Sequence, residues 1–406
     1  MTSPWLHRFA LATALATLAL IGVGGLVTSH GVGMSVPDWP NTYGYNMFFF
    51  PFSKWAGGIF YEHSHRLLAS AVGLLTTVLA LWFFGRSARP LLRIGGGILL
   101  TLGLALGVSQ ARHRDDAIVL ALTGLTAFAA GFVWPRCEPS ARWLRRLGVA
   151  AFLGVLLQGV LGGLRVVLFK DQIGIFHATL AQLFFVLVCL LALFTSAWWT
   201  GLAARLPRSA RRSAPGLTSF FAVASALILA QLVLGATMRH QHAGLSIPDF
   251  PLAYGRFLPA LDPGSIAHYN QQRIEVEAAN PITAAQIILQ LAHRLLALII
   301  LGAVGLAAWR ARPLRAQNPV IARGALIWLG LILLQALLGA ATIWSNKAAD
   351  IATLHVVTGA LSLVAGTMLT AVTYRMSEAT ATSPVANPPA TELSFGTTPV
   401  PAAGLE

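Results

Sequence analysis

The chain has 406 residues, 56% of them hydrophobic and only 10% charged, and 28 Lys and Arg against 14 Asp and Glu leave a net charge of +14. A mean hydropathy of +0.69 excludes an ordinary soluble globule. The positive excess does not call for a nucleic-acid partner, because it is spread over short turns between apolar segments, where it sets topology and meets anionic lipid.

Ten apolar segments are long enough to cross a bilayer, at roughly 9–29, 64–84, 91–109, 117–134, 147–166, 174–198, 217–238, 284–309, 324–344 and 352–374. The first lacks a small-residue cleavage site at its far end and is expected to remain as a span. Small residues recur in several segments, which lets helices approach closely where lipid supplies no hydrophobic drive. Alternate connections hold Arg86, Arg89 and Arg93, then Arg136, Arg142, Arg145 and Arg146, then Arg205, Arg208, Arg211 and Arg212, then Arg310, Arg312, Arg315 and Arg323. These turns and both termini are expected on the cytoplasmic side, where basic residues are retained. The opposite connections hold most of the acids, including Asp38, Glu62, Asp115, Asp116, Asp171, Asp249 and Asp350, together with the two long loops. Cys137 and Cys189 make no disulfide framework, and residues 377–406, rich in Pro, Ala, Thr and Ser, are expected to form a disordered tail.

The chain also repeats itself. Residues 33–44 read GMSVPDWPNTYG and residues 244–255 read GLSIPDFPLAYG, seven identities in twelve at an offset of 211. His65-Arg66-Leu67-Leu68-Ala69 returns as His293-Arg294-Leu295-Leu296-Ala297 at an offset of 228. Gln158-Gly159-Val160-Leu161-Gly162 returns more loosely as Gln335-Ala336-Leu337-Leu338-Gly339 at 177, and His177 as His355 at 178. The growth from 211 to 228 lengthens the second outer loop around Asp262 to Ala278, and the fall of 51 that follows inserts a helical hairpin into the first half at about 91–134. Without that hairpin, residues 1–200 and 215–376 are each a four-span unit. An even number of spans gives both the same orientation. The expected fold is an all-α integral membrane protein, a helical bundle of two tandem four-helix repeats in parallel plus an inserted hairpin, with about ten transmembrane helices.

Four histidines sit near the outer ends of four spans, His65 and His177 in the first half and His293 and His355 in the second. Paired buried imidazoles suit the two axial faces of a haem iron, so two haem-sized sites are expected toward the outer side. A lone intramembrane histidine is as often a helix-to-helix hydrogen bonder, but four at duplicated positions favour ligation. Glu62 lies one helical turn before His65, whereas its second-half counterpart is Gln290. A carboxylate there could take protons from a reacting methyl group or stabilise positive charge on it; the alternative is a structural partner for Arg66 at i+4. Arg66 and Arg294 either contact haem propionates or snorkel to the interface. The PDWP and PDFP loops are expected to cap the pockets, with Trp39 and Phe250 on a porphyrin or else anchoring at the interface. His63, which has Leu291 as its counterpart, is expected in a loop or at the interface, not as an axial ligand. The outer histidines His30, His113, His240, His242 and His268 are expected at the surface without a metal.

Together the Glu62-x-x-His65-Arg66 motif, the PDWP loop, the Gln158-Gly159-x-x-Gly162-Gly163 segment, His177, His293-Arg294 and His355 resemble the haem A synthases, over about residues 9 to 375 apart from the hairpin. The resemblance implies an oxidoreductase that converts haem O to haem A for cytochrome oxidase, oxidising one ring methyl to a formyl group with water as the oxygen source. It implies that His293 and His355 ligate a haem b used for electron transfer, that His65 and His177 bind the substrate haem, and that Glu62 is the essential carboxylate. It further implies a bacterial cytoplasmic membrane and an electron acceptor the residues do not identify, and it leaves open a haem O synthase (prenyltransferase) partner and a homo-oligomer. Some relatives carry a cysteine pair in the outer loops; here Val36, Thr42, Ile247 and Ala253 flank the turns, so no loop disulfide can operate.

Rival readings use the same residues. A di-haem membrane electron carrier of cytochrome b type needs the four histidines but gives no reason for Glu62 opposite Gln290. A transporter would gather its polar groups near mid-span, not at the outer ends. A prenyltransferase would need paired aspartate-rich magnesium motifs facing the cytoplasm, and Asp115-Asp116 is a single pair on the other side.

Overall fold

The computed structural model describes residues 3–109, 114–205, 214–273, 281–316 and 318–381. Among them, ten helices are long and apolar enough to cross a membrane. They are α1 (Pro4–Ser29), α2 (Gly57–Phe83), α3 (Ala88–Ser109), α4 (Arg114–Val133), α5 (Arg142–Leu168), α6 (Asp171–Thr195), α7 (Ala214–His240), α8 (Ala284–Ala311), α9 (Pro319–Trp344) and α10 (Ala349–Ala381). Short helices at Ala197–Arg205 and Pro263–Gln271 lie between them.

Helix is the form that lipid imposes, because a spanning segment must satisfy its own backbone N–H and C=O groups. The hydroxyls within these spans follow the same rule: Thr13, Thr17, Thr76, Thr77 and Thr195 donate to carbonyls four residues back. The ends are marked locally. Ser3 accepts from Trp5 N ahead of Pro4 in α1, and Thr283 with Gln286 makes a capping box on α8. Arg89 and Arg93 donate to carbonyls of Gly131, Phe132 and Trp134, which puts positive charge on the C-terminus of α4.

The observed helices match the ten expected segments, with differences at the ends. α2 begins at Gly57 instead of 64, so Glu62, His63 and His65 all lie inside the helix. Its first turns are polar in sequence, and the folded loop above them supplies partners for those side chains. α10 runs on to Ala381, beyond the boundary expected at 376. The remainder of the expected tail, Arg112, His113, Arg208, Arg211, Arg212 and residues 274–280 of the expected insertion lie outside the described residues.

Two closed rings of four helices form the body. In the first, α1 packs on α2, α2 on α5, α5 on α6 and α6 on α1; in the second, α7 packs on α8, α8 on α9, α9 on α10 and α10 on α7. The rings meet where α10 lies against α1 and α6, and α6 against α7. The first core holds Leu6, Ala10, Val72, Leu79, Phe83, Phe184 and Val188, and is completed by Ala360 and Val364 of α10. The second is built around Phe221, Ile300, Val304, Ile321 and Trp328. α3 and α4 pair with each other and contribute nothing to either core. They approach backbone to backbone through Gly96, Gly103 and Gly124, a packing open only to small residues.

Candidate functional site

Each ring of helices carries two of the four histidines. His65 is on α2, His177 on α6, His293 on α8 and His355 on α10, each about 9 to 14 Å along its helix from the same end. His65 lies within electrostatic range of His177, and His293 within range of His355. Every imidazole rests on a glycine of the neighbouring helix. A methyl group added at Gly24 on α1 would stand 3.0 Å from His65 Cε1, and at Gly162 on α5 3.4 Å from that of His177. In the second ring the same distances are 3.3 Å from Gly235 to His293 and 3.2 Å from Gly339 to His355. Glutamines secure the histidine-bearing helices: Gln158 Nε2 donates to His177 O at 3.0 Å and Gln231 Nε2 to His293 O at 2.9 Å. Gln335 Nε2 lies 3.4 Å from His355 Nε2.

The donor set fits a haem. All four rings are partly exposed, yet Nδ1 of each is buried with no hydrogen-bond partner, against the rule that buried polar atoms are satisfied. Among the described residues no three His, Cys, Asp or Glu side chains gather as a metal site. A bare ion held by protein alone needs three or four donors, whereas a haem iron takes four from its porphyrin and asks for two. Two imidazoles per ring of helices, wedged in place by glycines, supply that number.

Above each pair a loop is pinned by the same set of bonds. Asp38 accepts from Tyr43 N and Gly44 N, and Asp249 from Tyr254 N and Gly255 N, holding turns in which Tyr43, Gly44, Tyr254 and Gly255 all have positive φ. The Trp39-Pro40 and Phe250-Pro251 peptides are both cis. Tyr43 Oη donates to Ser35 O and Tyr254 Oη to Ser246 O. Burial, together with Tyr269 and Asp249, pushes the Tyr254 hydroxyl up to about 12, so it stays a donor. The expected lengthening of this second loop contains the helix Pro263–Gln271, whose Tyr269 stacks on Tyr254 at 3.5 Å between centroids.

Glu62 and Gln290 are the latches beneath these loops. Glu62 Oε2 accepts from Val36 N at 2.9 Å and Gln290 Oε1 from Ile247 N at 2.7 Å. The remaining oxygen of Glu62 pairs with Arg66 Nη2 at 2.8 Å, the structural partnership weighed from the sequence. Both members are buried, and the ion pair is supported by further hydrogen bonds, as a buried pair must be. Arg66 donates from Nη1 to Asp38 O and Asn41 O and from Nη2 to Val36 O; Arg294 donates to Leu252 O and Asp249 O. Neither arginine snorkels outward: each is turned into its loop.

His63 departs from the expected loop or interfacial position. It is fully buried, with Nδ1 3.2 Å from Thr42 Oγ1 and its ring between Phe50 and Trp55 at 5.0 and 4.7 Å. The second ring has Leu291 and Ala253 in the corresponding places, so this polar contact belongs to the first alone. Trp39 packs on Gly163 of α5, while Phe250 lies 6.0 Å from Trp344 and 5.6 Å from the Arg294 guanidinium. His30 packs on Tyr61 and His240 on Gly174 of α6. Sequence reading missed Gln231, because the repeat puts Leu20 opposite it and left no signal.

The family model described as cytochrome oxidase assembly protein (COX15-CtaA) matches residues 7–367. A heme A synthase of Symbiobacterium thermophilum is 33% identical over 152 residues, or 37% of this chain. The match spans 48%, about half, of that relative's length.

Proposed function

The chain belongs to the family of cytochrome oxidase assembly proteins, and from that premise we propose that it is a haem A synthase, an oxidoreductase that oxidises a ring methyl of haem O to a formyl group with oxygen from water. The observation that carries the reading is one difference between two equivalent latches, Glu62 under the first loop and Gln290 under the second. The first ring of helices is the substrate half, with haem O between His65 and His177. In the second, His293 and His355 hold haem b, which when bound supplies one-electron transfer.

Glu62 spends one lone pair on Val36 N and another on Arg66, and a carboxylate has more. It can therefore take up protons released as the methyl is oxidised without dropping its loop. Gln290 keeps the geometry and lacks the basicity. The pinned loop, with Trp39 seated on Gly163, covers the pocket and limits bulk water to what the reaction consumes. Basic turns on the cytoplasmic side would put both pockets toward the outer face, with haem O delivered by its prenyltransferase and electrons leaving to an acceptor.

The second reading is a di-haem electron carrier, which the near-identity of the two latches and of the four glycine seats favours. Haem extraction from the protein purified from cells that make haem O separates the two. The wild type should yield haem A or a hydroxylated intermediate. Glu62→Gln, which retains an acceptor for Val36 N, should fold, keep haem b and accumulate haem O. Unmodified haem at both sites in both proteins would establish the carrier instead.

A further inference from the structure

The four glycine seats belong to a longer repeated device. In three of the four a glutamine stands one helical turn before the glycine: Gln158 before Gly162, Gln231 before Gly235 and Gln335 before Gly339. A spacing of four puts both residues on one face, so one turn seats an imidazole and the turn before it ties the helix that carries it. Gln158 Nε2 donates to His177 O and Gln231 Nε2 to His293 O, while Gln335 meets the His355 ring. The fourth turn differs. Four residues before Gly24 stands Leu20, partly buried against the first core. Leucine has no donor, and among the described residues no side chain bonds the His65 carbonyl.

α1 is also soft at this level. Its Ile21-Gly22-Val23-Gly24-Gly25 run corresponds, at the offset of 211, to Leu232-Val233-Leu234-Gly235-Ala236 of α7. Glycine has more backbone freedom to lose in a helix than any other residue. His65 accounts for Gly24, and Thr353 for Gly25, where an added methyl group would stand 2.9 Å from Thr353 Cγ2. No close approach accounts for Gly22, where a methyl group would meet Val357 at an ordinary 3.7 Å. The side-chain bonds of α1 nearby lead to the second ring of helices: Arg239 Nη2 donates to Gly25 O at 2.8 Å, and Ser29 Oγ is 3.3 Å from Thr353 Oγ1. A side chain leaves its ligand by local opening of the element that carries it, and each hydrogen bond between helices that must break slows that opening.

We propose that Leu20 makes His65 the axial ligand that lets go. Without the tie that Gln231 gives His293, α2 can draw its imidazole back, so the first ring of helices exchanges its haem while the second keeps one resident. The proposal rests on the haem reading given above and names a device, separate from Glu62, that divides the substrate half from the cofactor half. Leu20 is a positioning residue that acts through His65.

Haem loss from the purified full-length protein, reconstituted with haem b and mixed with excess apomyoglobin as acceptor, tests it. Absorbance follows both the loss and the spin state of the iron that remains. The wild type should lose haem in two phases, and His65→Leu, which lacks the first site, should show the slow phase alone. Leu20→Gln should slow the fast phase about three- to tenfold, the worth of one hydrogen bond between helices in a bilayer, and leave the slow phase unmoved. Gln231→Leu should speed the slow phase by a similar factor. Leu20→Met, which keeps the bulk and adds no donor, should match the wild type. Equal rates of loss from both sites in the wild type would overturn the proposal, as would an unmoved phase in whichever of Leu20→Gln and Gln231→Leu folds. Leu20→Met slowing the fast phase as much as Leu20→Gln would do the same. A wild-type protein that takes up no haem would overturn the haem reading itself.

Discussion

The four glycines beneath the histidines have a use that runs against their own helices. Glycine inside a helix costs about 0.5–1 kcal/mol relative to alanine, so a larger residue at these positions should favour the helix and disturb only the ring beside it. Gly339→Val is expected to displace His355 and lose most of the second-ring haem while the first is retained, and Gly24→Val to do the reverse; haem content per protein and the absorbance spectrum measure both. His63→Leu copies the second ring, gives up the Thr42 contact at about 1 kcal/mol, and is expected to keep both haems. Glu62→Ala and Glu62→Gln both remove the counter-charge of buried Arg66, but Ala also leaves the Val36 N–H without its acceptor, at a further cost of about 1–3 kcal/mol; thermal unfolding should place it below the Gln variant. The histidine pairs were legible in sequence because duplication fixed them by offset. The destinations of Arg66 and Arg294 were not, since loop carbonyls and propionates would lie at the same end of the helix. Arg239 was hidden in a run with His240 and His242 that reads as surface.

At the level of elements, α3 and α4 illustrate what offset arithmetic can deliver. The offset falls by 51 across this pair of helices, and the structure leaves them outside both cores. Asn46 of the first outer loop donates to Asp116 at the start of α4, at 2.8 Å. Excising residues 88–133 and rejoining the chain by a short linker is therefore expected to preserve both haems, read from the absorbance of the purified variant, with some loss of stability. The start of α2 was less legible. A hydropathy window follows the apolar run, whereas Glu62, His63 and Arg66 are buried by partners from the loop, a compensation that appears only once the loop has folded.

For the whole molecule, the ten spanning helices were readable from the apolar runs of the sequence, but the way the two rings meet was not. The seam is made by single crossings such as Arg239 to Gly25 and Ser29 to Thr353, which have no duplicated counterpart. The most consequential crossing is α10, which completes the first core with Ala360 and Val364 while carrying His355 for the second site. Its place in the chain gives that packing a meaning in time. Spans leave the ribosome in order, so α1, α2, α5 and α6 enter the membrane with one wall of their core still missing. The first pocket must wait for the last helix, and a chain cut short before α10 would lose the older half as well as the younger.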